Sequence, residues 1–173
     1  MADTQDQDDV IPVDLEYVFS IRIDFKERIR VPGPIQSNVY VPAAGGKIWG
    51  PRFQGKVVPY SGADYGGEFG LDAHYMLQHD DGTYIYIHNQ GYLYPMGSET
   101  GMAHKPPTKP VTPEEQTNFS APASADVPMY FRITPYFNAP VGPHDWLTRT
   151  VIVGTADRFQ NPDHTIFTYY AVL

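Results

Sequence analysis

Turn-forming residues recur every eight to twelve positions along this chain, and the runs between them alternate in side-chain character. Seventeen prolines and fifteen glycines supply the punctuation. No stretch shows the i, i+3, i+4 spacing of a long amphipathic helix, although 112–118 has room for a helical turn or two. The first run sets Leu15, Tyr17, Phe19, Ile21 and Ile23 on one face, with Glu16, Val18, Ser20, Arg22 and Asp24 on the other. Pro32-Gly33-Pro34 then forces a turn. Short strands are expected at 35–41, 46–48 and 53–59, and Ser61-Gly62 and Gly66-Gly67 bracket Ala63, Asp64 and Tyr65 in a tight segment. Residues 68–78 and 83–89 read as a hairpin about Asp80-Asp81-Gly82, since Asp-Gly suits the twisted two-residue turn. Further strands are expected at 129–134, 146–154 and 164–172.

Such a set of short strands implies a sandwich or a barrel. The last run puts Phe167, Tyr169 and Ala171 on one side and Ile166, Tyr170 and Val172 on the other. A sheet with two bulky faces must cover both. The expected fold is therefore all-β, a single antiparallel barrel of about ten strands over residues 12–173. An amphipathic lumen with a packed exterior would cover both faces, as would a homo-oligomer contact on the outside. Residues 1–11 read as an acidic disordered tail, and the Pro-rich stretch 95–127 as a lid-like loop.

The net charge of −8 removes the cationic footprint of non-specific nucleic-acid binding and opposes docking on anionic lipid, so neither nucleic acid nor membrane is an expected partner. The absence of cysteine excludes disulfides, thiolate metal sites and thiol nucleophiles. The acidic N-terminus has neither the basic start nor the apolar stretch of a secretory signal, which makes the cytoplasm the default address. His74, His79, His88, His104, His144 and His164 show no HxH or HExxH spacing, so no metal site and no cofactor are expected. A P-loop, a dinucleotide fingerprint and a GxSxG elbow are also missing.

From Gly33 onward the order GPIQ, GGKIWGPRFQGKVVPYSGADY, LDAHYMLQHDDGTYIYIHNQGYL, YFRITPYFNAP and WLTRTVIVG, followed by a tyrosine-rich final strand, resembles the DUF3237 family, also called UPF0311. The resemblance covers the larger part of the chain. It implies a calycin-like antiparallel β-barrel, in a family whose members mostly lack an assigned activity. The family's GGDW-like segment reads Gly62-Ala63-Asp64-Tyr65 here, and its LDARY reads Leu71-Asp72-Ala73-His74-Tyr75. Asn38 lies near the place of a common arginine, and the RTTPRFET-like segment becomes RITPYFNA, gaining Tyr136 and Asn138. If these positions line the pocket, it is less ionic than its relatives' pockets.

Asp72 and His74 are two apart on a strand, so they share a face with Met76 and Gln78. Facing a lumen, the carboxylate would orient the imidazole as an acid–base pair. The same alternation equally suits a solvent-facing row over a core of Leu71, Ala73, Tyr75 and Leu77. His88 shares a face with Tyr84 and Tyr86, and counting back from the turn sets it across from His74 or Tyr75. Inward, these groups would converge; outward, they would form an aromatic ladder at a subunit contact. Asp64 would act as a base at the barrel mouth or simply cap a turn. Arg132 would bind an anionic oxygen if it faced the lumen. Tyr65, Tyr86, Tyr130, Phe137, Asn138 and Trp146 complete the candidate substrate contacts, with core filling as the ordinary role of the aromatics.

With no thiol and no cofactor motif, proton transfer and oxyanion stabilisation remain. The expected function is a cofactor-independent acid–base enzyme of secondary or aromatic metabolism. It would isomerise, cyclise, or eliminate and hydrate a small-molecule substrate in a barrel pocket. The alternative is a non-catalytic, lipocalin-like binding protein for an aromatic or apolar molecule. A third reading is an interaction protein with a filled lumen and an aromatic, oligomer-forming exterior.

Overall fold

The alternating N-terminal run forms β1 (Leu15–Phe25), and a short β2 (Ile29–Val31) follows it. In the computed structural model, which describes residues 11–35, 37–66, 70–95 and 129–173, the next strand is β3 (Asn38–Trp49). It runs unbroken through Gly45-Gly46, where two shorter pieces were expected. A side chain at Gly46 would meet the Arg22 carbonyl oxygen at 1.9 Å, so glycine here admits the neighbouring strand rather than ending one. Then come β4 (Gly55–Val57), β5 (Ala63–Gly66), β6 (Gly70–His79), β7 (Tyr84–Pro95) and β8 (Met129–Asn138). The short helix α1 (Trp146–Arg149), β9 (Ile152–Phe159) and β10 (His164–Val172) complete the order. Of the acidic tail expected at 1–11 and the lid-like loop expected at 95–127, all but residues 11 and 95 lie outside the described residues, as does the helical turn expected at 112–118.

Every pairing among the described residues is antiparallel, and the sheet closes on itself. The order runs β1-β10-β9-β8-β7-β6, continues through β4 and β5 to β3, and returns to β1. β4 and β5 occupy one place in the ring at different heights, each bonded to both β3 and β6. β2 extends the free end of β3. Among the described residues no helix is long and apolar enough to cross a membrane.

Two local expectations change. Residues 146–149 form a turn of helix rather than strand, with the Arg149 guanidinium 2.7 Å from Asp145 one turn back and Leu147 driven into the core. Residues 63–65 form a ladder strand rather than a strained turn, with Asp64 directly between Val41 and Ala73.

Phe19, Ile21, Ile23, Ala73, Leu77, Ile85, Ile87, Phe167 and Tyr169 have essentially no exposure and fill the barrel from all sides. Each large apolar side chain contributes about 1.5–3 kcal/mol on burial, which dominates the choice of face. Period-two geometry then fixes the rest. With Leu71, Ala73, Tyr75 and Leu77 inside, Asp72, His74, Met76 and Gln78 must point outward. The expectation of an acid–imidazole pair in the lumen is thereby corrected, because hydrophobic packing claims the interior.

Candidate active site

The β6–β7 register sets His74 directly opposite His88, with Asp72 facing Gln90 and Met76 facing Tyr86. The two imidazoles stack at 4.0 Å between centroids and 16° between planes. One oxygen of Asp72 serves both rings: Oδ1 lies 2.5 Å from His88 Nε2 and 3.1 Å from His74 Nε2. On the far side of the His74 ring, Nδ1 lies 2.6 Å from the Tyr86 hydroxyl. A carboxylate against Nε2 selects the tautomer that carries its proton there. Nδ1 then offers a lone pair and the Tyr86 O–H donates to it. The result is a phenol–imidazole–carboxylate chain, with a second imidazole braced on the same carboxylate.

This chain adjoins a groove of about 320 Å3 lined by Val31, Asn38, Tyr40, Tyr65 and Asp72. The Tyr40 and Tyr65 rings meet at 5.4 Å along one wall, and Tyr65 is paired with Asp72 in the ladder. The Asp72 side chain is 53% exposed and that of His88 only 23%, so the carboxylate opens to the groove while the rings sit lower in the sheet. On the other flank Tyr136 pairs with His88 and Asn138 with Tyr86, both on the exposed face. Tyr65, His74, Tyr136, Asn138 and Asn38 thus all lie on the outer wall around one groove and one hairpin.

Other candidates lie elsewhere. Asp64 faces the interior, 8% exposed, with Oδ1 lacking a hydrogen-bond partner among the described residues. Burial pushes its carboxyl up to about 7 against the pull of Arg158 and Arg28. Arg132 is on the outer face of β8, bonded to the Thr155 hydroxyl at 2.8 Å and to the Phe131 carbonyl at 2.9 Å, with its guanidinium over Tyr130. These contacts correct the lumen role expected for Arg132. Phe137 is 2% exposed and packs on Phe19 and Tyr169, so it is core rather than a substrate contact. Trp146 has its ring face covered by Arg52 at 3.9 Å, away from the groove.

Sequence reasoning missed two arrangements. Asn89 is fully buried and its amide donates to the Tyr169 hydroxyl at 2.8 Å across the barrel. Burial lifts the Tyr169 phenol above its ordinary range, and the Asn89 bond opposes that shift. Spacing also suggested no metal ligands, yet the fold assembles two His–His–Asp groups, Asp72/His74/His88 and His79/Asp81/His144, each with its ligand atoms within 4.8 Å of one another. Cross-strand register creates the first group and loop closure the second, and neither leaves a short motif.

The family model for DUF3237, a protein family of unknown function, matches residues 13–172. A UPF0311 protein of Rhodopseudomonas palustris (strain TIE-1) is 26% identical over 168 residues, spanning 93% of this chain and 97% of that protein. The crystal structure of a protein of unknown function from Clostridium acetobutylicum superposes with a TM-score of 0.75 at 24% identity, covering 95% of this chain and all of that one. An enzyme from Penicillium herquei superposes with a TM-score of 0.63 at 18% identity, over 95% of this chain and 97% of that one. At such identities the structural likenesses establish the barrel alone. From the match along nearly its whole length, this chain belongs to the DUF3237 family.

Proposed function

We propose that the protein is an acid–base enzyme whose own side chains isomerise, cyclise, or add and remove water from an aromatic small molecule. The reaction site is the outer-wall groove rather than the lumen. The observation that carries this reading is the Tyr86–His74–Asp72 chain at 2.6 and 3.1 Å beside that groove. In the forward step the Asp72 carboxylate, the member of the chain that lines the groove, takes a proton from the substrate while His88 and the Tyr86-anchored His74 hold the carboxylate in place, and Asp72 returns that proton to a second substrate atom on completion. Positioned proton transfer of this kind supplies about 10²–10⁴-fold in rate. Tyr40 and Tyr65 offer faces on which an aromatic ring stacks. The Penicillium herquei neighbour, described as an enzyme, is consistent with a catalytic use of the fold.

The barrel interior, filled among the described residues by the core side chains, weighs against a carrier that holds its ligand in the lumen. The experiment is turnover of a panel of aromatic 1,3-diketones and ortho-alkenyl phenols by wild type, Tyr86→Phe and His74→Ala. Loss of turnover in both variants, with thermal melting unchanged, supports the reading. Ligand binding without turnover that survives both changes would instead mark a binding protein.

A further inference from the structure

A second histidine cluster stands at the opposite end of the barrel, where the β6–β7 turn meets the segment leading into α1. His79 ends β6, Asp81 sits in the turn, and His144 arrives from 63 residues further along the chain. Each oxygen of the carboxylate meets a different ring: Asp81 Oδ1 lies 3.1 Å from His79 Nδ1, and Oδ2 lies 2.8 Å from His144 Nε2. The rings approach to 4.1 Å between centroids. Phe53, 1% exposed, backs both at 5.1 and 5.6 Å, so one side of the cluster is apolar and the other open to solvent.

A second feature, the arrangement around His79 Nδ1, suits a cation. His79 Nδ1 accepts the backbone N–H of Asp81 at 3.1 Å and also faces Asp81 Oδ1 at 3.1 Å. As an acceptor, the nitrogen sets its lone pair near a carboxylate oxygen, which is repulsive. As a donor, it loses the amide bond. A cation between nitrogen and oxygen takes a lone pair from each, so the repulsion and the long amide contact give way to two coordination bonds while Asp81 Oδ1 keeps the Thr83 N–H at 2.8 Å.

We propose that His79, Asp81 and His144 form a binding site for a divalent transition-metal ion of the zinc class. Two imidazoles and a carboxylate are its usual ligands, at about 2.0–2.2 Å, with the fourth, solvent-facing position left to water. Nitrogen donors disfavour calcium and magnesium, which take oxygen. The bound ion clamps the β6–β7 turn to the β8–β9 connection and closes that end of the barrel. The Asp72/His74/His88 group is the weaker candidate, since both of its rings spend Nε2 on the same oxygen while stacked face to face.

The test is titration of the metal-free full chain with Co²⁺, read by its visible absorption, and with Zn²⁺, read by the shift in melting temperature. Wild type should bind one equivalent with a four-coordinate spectrum and melt higher with Zn²⁺. His144→Asn and Asp81→Asn should each weaken binding at least tenfold and lose the Zn²⁺ shift. The double variant His74→Ala/His88→Ala should retain both signals. Asp81 lies in an exposed turn, so its variant keeps the test informative if His144→Asn fails to fold. No binding by wild type, or binding lost only in the His74/His88 variant, would overturn the site.

Discussion

His74 and His88 lie directly opposite each other on β6 and β7 with their rings stacked at 4.0 Å, and a single oxygen of Asp72 holds both. This shared carboxylate orders the pair. An imidazole on a half-exposed strand has two tautomers and a free χ2, and the carboxylate removes both freedoms for His74. Asp72→Asn presents an amide that can donate as well as accept, so His74 loses its fixed tautomer. Turnover should fall about 10²-fold or more. The melting temperature should barely move, because Asp72 is more than half exposed. Parallel kinetics and thermal melts check both halves.

Asp64 makes stability depend on pH. Its carboxyl is raised from 3.8 to about 7, mainly by burial. The folded state therefore binds the proton more tightly than the unfolded chain. The stabilisation from this group is complete below about pH 4 and disappears as pH rises through 7. Between pH 5 and pH 8 the loss should be roughly 2–3 kcal/mol. Urea unfolding of wild type and Asp64→Asn at both pH values measures it, and the asparagine variant should show a flatter profile across that interval.

Asn89 and Tyr169 form a buried polar pair inside the barrel. Tyr169→Phe leaves the Asn89 amide short of a partner and should cost about 1–3 kcal/mol. Adding Asn89→Leu removes the orphan and should recover part of that loss. A double-mutant cycle by chemical unfolding reports the coupling.

Gly62 passes so close to β6 that a Cβ there would lie 1.6 Å from the His74 carbonyl oxygen. Gly62→Ala must push the strand that carries Asp72 and His74. It should destabilise the fold by more than about 2 kcal/mol. It should also shift the His74 ring resonances, a change visible by NMR that a distant destabilising substitution would not produce.

Much of the strand map was legible because burial follows alternation. Leu71, Ala73, Tyr75 and Leu77 announced a core face, and Asp81-Gly82 set the hairpin that puts His74 opposite His88. The direction of the polar face was less legible. Alternation separates two faces without saying which one curls inward, and Tyr84, Tyr86 and His88 look as bulky as Ile85 and Ile87. Packing decided it, since aliphatic and Phe side chains tolerate full dehydration and imidazoles do not. Trp146 to Arg149 misled for a different reason: the Asp145–Arg149 contact that completes the helical turn is visible only once a helix is assumed. His79, Asp81 and His144 were invisible as a group, because a loop closure of that span leaves no periodic trace. Asp64, expected at the barrel mouth or as a turn cap, lies instead in the ladder of β5 with the barrel interior as its environment.

The chain from Tyr86 through His74 to Asp72 is tested most directly by the ¹⁵N NMR spectrum of the His74 side chain, which distinguishes a protonated ring nitrogen from a bare one. The account predicts a proton on Nε2 and a bare Nδ1, with the Nδ1 signal moving in Tyr86→Phe and the fixed tautomer lost in Asp72→Asn. A His74 ring that carries its proton on Nδ1, or exchanges freely between tautomers in wild type and both variants alike, would contradict it.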